Sequence, residues 1–105
     1  MPAGKNTKTY GGVIQAASGS APQNHEIAAK NPNRTMLLIQ NTGAGDLLVA
    51  FGGPVIGDGS DLIFPGGANN GLLWDNADSC PEASINFGSI AGTTYSVTEQ
   101  LTVKK

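Results

Sequence analysis

The sequence predicts an all-β domain: a single antiparallel β-sandwich of about eight short strands, with the jelly roll among the topologies it permits. Three observations predict it. Short apolar segments recur at roughly 8–12-residue spacing, the rhythm of sandwiches and barrels. Clusters of Gly, Asn, Asp and Pro separate them; these residues supply the positive or fixed φ that turns need. No window carries the 3.6-residue apolar period of an amphipathic helix. Composition points the same way. With 15 Gly, 6 Pro and 13% charged residues, the 105-residue chain is no coiled coil or helical bundle. With 39% apolar residues and a net charge of −2, it is not a wholly disordered chain either.

Residues 1–11 are polar, glycine-containing and aperiodic, and predict a flexible N-terminal arm; 12–105 form the sandwich domain. Strands are predicted at 12–17, 25–29, 34–41, 46–51, 61–64, 71–74, 83–87 and 94–103. The segment 24–30 is the one rival helix, too short and too close to Pro32. In the last strand Tyr95, Val97, Leu101 and Val103 share one face, with Glu99 as the exception. Thr94, Ser96, Thr98, Gln100 and Thr102 share the other, so one face is buried and one wet. The pair 34–41 and 46–51 reads as a hairpin apolar on both faces. Met36 and Leu38 oppose Leu37 and Ile39; Leu47, Val49 and Phe51 oppose Leu48 and Ala50. A two-layer sandwich wets its outer faces, so this ribbon needs a cover, and a second subunit is the expected one.

The charges are segregated. The bases are Lys5, Lys8, Lys30 and Arg34, then Lys104 and Lys105. Between them lie seven acids: Asp46, Asp58, Asp61, Asp75, Asp78, Glu82 and Glu99. An acidic body repels phosphate and argues against nucleic-acid binding. A basic arm could instead pair with an acidic partner surface. The lone Cys80 permits no internal disulfide and suits a reducing compartment. The longest apolar run, 47–51, is far short of the ~20 residues that span a bilayer. The first residues lack the apolar core of a signal peptide, so synthesis and folding in the cytoplasm, away from membranes, are expected.

Little chemistry is visible. One histidine, His25, and one cysteine make neither a multi-histidine nor a zinc site. Asp58 with Asp61, and Asp75 with Asp78, place paired carboxylates in loops where calcium could sit, yet neither has a full ligand run, and turns favour Asp in any case. No nucleophile elbow, triad or phosphate loop is present. The expectation is a non-enzyme without metal or cofactor. Trp74, before an acidic turn, could stack on a sugar or anchor an interface. Tyr10, beside Gly11 and Gly12, could be a peg into a partner.

The phrase Asn31-Pro32-Asn33-Arg34-Thr35-Met36-Leu37-Leu38-Ile39-Gln40-Asn41, with the return 46–52, resembles small tailed-bacteriophage virion proteins. In these an Arg opens a strand ending in Leu-Ile-Gln-Asn, and the return strand ends near Phe-Gly. Residues 62–67 resemble the family's next strand and Pro-Gly turn, and 91–99 its closing strand. The family is similar to head decoration (cement) proteins and other capsid-associated sandwiches. The resemblance implies a structural protein on the outside of the capsid, made in the host cytoplasm, whose partners are the major capsid lattice and further copies of itself as a dimer or trimer. It implies no catalytic residue. A carbohydrate- or receptor-binding module of a fibre or tail is the rival expectation. Lys5, Lys8, Tyr10, Leu37, Ile39, Leu48 and Trp74 are the candidate partner-binding residues.

Overall fold

A computed structural model describes residues 5–16, 24–55, 62–67, 70–76 and 79–102. Eight strands are present among the described residues: β1 (Lys5–Ile14), β2 (His25–Ala28), β3 (Arg34–Asn41), β4 (Leu47–Phe51), β5 (Leu62–Phe64), β6 (Gly71–Trp74), β7 (Ile85–Gly88) and β8 (Thr93–Thr102). They form two four-stranded antiparallel sheets, ordered β1-β8-β3-β6 and β2-β7-β4-β5. The chain changes sheet at every connection except β4–β5. That interleaving is a jelly roll, the topology that eight strands wound as a folded ribbon produce.

The inner faces follow the period-2 alternation of the sequence. Ile14, Leu37, Ile39 and Val97 from the first sheet meet Leu47, Val49, Phe64, Ile85 and Phe87 from the second. Phe87 also meets Tyr95 edge to face, ring centroids 5.0 Å apart. Burying each large side chain contributes about 1.5–3 kcal/mol.

Two expectations are corrected. Residues 5–11 are not a loose arm: β1 pairs with β8 over its full length, from Lys5 opposite Thr102 to Ile14 opposite Thr93. Its polar outward residues are those of an edge strand whose outer face is wet. Residues 1–4 lie outside the described residues. Second, β3 and β4 are not a hairpin but belong to opposite sheets. Asn41 makes the crossing. Its Nδ2 donates to the carbonyls of Gly45 (2.8 Å) and Phe64 (2.7 Å); its Oδ1 accepts from the Gly43 N–H (3.1 Å) and the Thr93 hydroxyl (2.7 Å). Both donors and both acceptor lone pairs of this fully buried amide are used, which fixes the turn between the sheets. Beside it Gly92 sits at φ +86°, a conformation that L side chains avoid.

The second apolar face of β4 is nearly covered within the chain, whereas Met36 and Leu38 on that of β3 are half-buried. Leu37 and Ile39 face the opposite sheet. Leu48 points outward but is only 8% exposed. The chain after β4 turns back over this face: buried Val55 donates its N–H to Asn24 Oδ1 (2.7 Å), and Asn24 Nδ2 donates to Asn86 Oδ1 on β7 (3.0 Å).

Candidate functional site

A polar constellation lies at the sheet end where β3 begins. Arg34 reaches it through a β-bulge: it pairs with Leu101, whereas Met36 pairs with Gln100. The extra residue turns Arg34 onto the inward face shared by Leu37 and Ile39. The guanidinium is fully buried. Nη1 donates to the carbonyls of Pro81 (2.9 Å) and Ala83 (3.0 Å), and Nη2 to that of Ala29 (3.2 Å). Nε lies 3.6 Å from Glu99 Oε2 in an ion pair too long to be a hydrogen bond. The same oxygen accepts from the Tyr10 hydroxyl at 2.7 Å. Burial first, and then the Glu99 hydrogen bond and charge, hold the Tyr10 phenol well above its usual pKa. The exception in the alternation of β8 is thus the counter-charge of a buried arginine.

Over this pair opens a cleft of about 370 Å³, lined by Lys8, Tyr10, 27–31 and Glu99. Lys8 stands on β1 opposite Glu99 in register. Lys30 follows β2. Both lysines are exposed, and neither has an ion-pair partner among the described residues. A second feature lies on the far side of the sandwich. The outermost strands there, β5 and β6, present Leu62, Ile63, Leu72 and Leu73, each 43–50% exposed.

The cleft brings together only two of the seven candidate partner-binding residues, Lys8 and Tyr10. Tyr10 is no free peg, because it is half-buried and bonded to Glu99. Lys5 is in β1 opposite Thr102, and its side chain is outside the described residues. Leu37 and Ile39 are fully buried and Leu48 nearly so; as core and covered side chains they are removed from the partner-binding set. Trp74 is half-buried and packs edge to face on Phe51, centroids 5.5 Å apart. It joins the two sheets through that contact. Asp58, Asp61 and Asp78 lie outside the described residues. Arg34 and Asn41 were missed as organising residues. The signal for Arg34 was Glu99, an acid on an apolar face that required a buried partner.

No family model matches the chain, and no curated protein matches it. Solved structures do. A protein of Bacillus endospore appendages, described as a family of disulfide-linked pili, is 11% identical with a TM-score of 0.54, over 97% of this chain and 91% of that one. A designed double-stranded β-helix is 16% identical with a TM-score of 0.48, over 88% and 97%. A cupin-superfamily protein from Desulfitobacterium hafniense is 7% identical with a TM-score of 0.41, over 92% and 79%. The endospore likeness is one of fold; Cys80, the only cysteine of this chain, is buried.

Proposed function

We propose that the protein is a structural subunit that works by packing against copies and neighbours. In the finer reading it is a decoration (cement) protein bound to the outside of a tailed-phage head. The observation that carries this reading is the apolar edge formed by Leu62, Ile63, Leu72 and Leu73. Outer strands of soluble monomers are usually kept short or blunted with charge, bulges or proline; β5 and β6 are short but carry no charged residue. Here four large aliphatic side chains sit on strands that pair on one side only among the described residues, the chemistry of a surface that is completed by another subunit. The resemblance of 31–52 to virion proteins supports the same role. So does the structural neighbour from Bacillus endospore appendages, which form pili.

The edge replaces the β3–β4 ribbon as the seat of oligomerisation. On a symmetric shell many such weak contacts add through effective concentration. The protein would be made in the host cytoplasm and end on the capsid exterior, as a dimer or trimer. The test is co-sedimentation with phage heads lacking the protein. Saturable attachment at hundreds of copies per head is expected, and loss of attachment in Ile63→Lys/Leu73→Lys. No attachment by the wild-type protein, or equal attachment by the variant, refutes it.

A further inference from the structure

We infer that the cleft between β1, β8 and the chain leaving β2 binds a small hydroxylated organic acid, with an acidic sugar as the ligand class that fits its walls. This is independent of the assembly role. At about 370 Å³ the cleft is within the size range of small-molecule sites, and it is large enough for one sugar ring.

Its chemistry narrows the ligand. Lys8 and Lys30 stand at the cleft with no ion-pair partner among the described residues, in a molecule whose net charge is −2. They call for an anionic group. The carboxylate of Glu99 forms another part of the wall, nearly buried, with Oε2 taken by the Tyr10 hydroxyl and the Arg34 charge. Its other oxygen, Oε1, makes no hydrogen bond among the described residues, and as an acceptor it suits a hydroxyl donor rather than a second anionic oxygen. The ligand must therefore carry its negative charge at one end and hydroxyls at the other. Tyr10, Ile27 and Ala28 add an aromatic and aliphatic wall suited to the C–H face of a pyranose ring.

The walls are also fixed in advance. Arg34 ties the Ala29 carbonyl on one side to Glu99 on the other. The Asn31 N–H donates to the Glu82 carbonyl at 2.8 Å. A site held in this way loses little freedom when it fills.

The experiment is an NMR titration of the ¹⁵N-labelled full chain with glucuronate. Glucose, acetate and glycine serve as controls for the body without the charge, the charge without the body, and a zwitterion. Saturable shifts are expected at the amides of Lys8, Tyr10, 27–31 and Glu99, with each control binding at least about tenfold more weakly. Lys8→Ala/Lys30→Ala should weaken glucuronate about tenfold while leaving thermal unfolding unchanged, since both side chains are exposed. Absence of saturable shifts, shifts centred elsewhere, any control binding as well as glucuronate, or an unaffected double variant overturns the inference.

Discussion

Replacing Glu99 by Gln keeps the side-chain volume and removes one charge. The structure makes the consequence large. Arg34 is 0% exposed, and Glu99 is the only acid within ion-pair distance of it among the described residues. The three carbonyls around Nη1 and Nη2 satisfy hydrogen bonds but not the net charge. Leaving a buried cation without its partner costs about 3–5 kcal/mol. A domain of this size is stable by about 5–15 kcal/mol, so Glu99→Gln removes roughly a fifth or more of the total. The expected fall in Tm is about 12–20 °C, at about 4 °C per kcal/mol. Urea unfolding followed by Trp74 fluorescence reads this directly, because Trp74 is the only tryptophan and bridges the sheets against Phe51. The paired change Arg34→Met/Glu99→Gln should be milder than Glu99→Gln alone, since it leaves no orphaned charge. A loss below about 1 kcal/mol in Glu99→Gln would refute the reasoning.

Three further outcomes follow from the same contacts. Tyr10 is held protonated above its ordinary pKa of 10.0, so its contribution is fully present below pH 10 and is lost as the pH rises further. Unfolding midpoints measured across the alkaline range should fall for the wild type and fall less for Tyr10→Phe. Asn41→Asp should cost about 3 kcal/mol or more in denaturant unfolding, because an acceptor would then face the Gly45 and Phe64 carbonyls. Gly92→Ala should cost about 1–2 kcal/mol for its positive φ, read as a lowered Tm.

The strands were legible where one side of the sheet is apolar and the other wet. The ranges 34–41 and 71–74 coincide with β3 and β6, and most of the others differ by a residue or two. The start of β1 was hidden because Lys5–Gly11 is polar but for Tyr10, and edge strands carry little apolar pattern. The pairing of β3 with β4 was misread for a physical reason: adjacency in sequence favours a hairpin, whereas Asn41 uses its side chain to send the chain to the other sheet. Arg34 could not be placed by alternation, since a bulge after it reverses its face. The cleft was half visible. Glu99 stood out on an apolar face, but Lys8, Lys30 and Tyr10 converge on it only through the β1–β8 pairing and the route of the chain after β2.

Sedimentation velocity over a concentration series, on the wild type and on Ile63→Lys/Leu73→Lys, is the most direct measurement of whether the apolar edge joins subunits. A wild type that sediments as a dimer or trimer, beside a monomeric variant with the same thermal unfolding, is the predicted result. A wild type that stays monomeric throughout, or a variant that associates equally well, would contradict it.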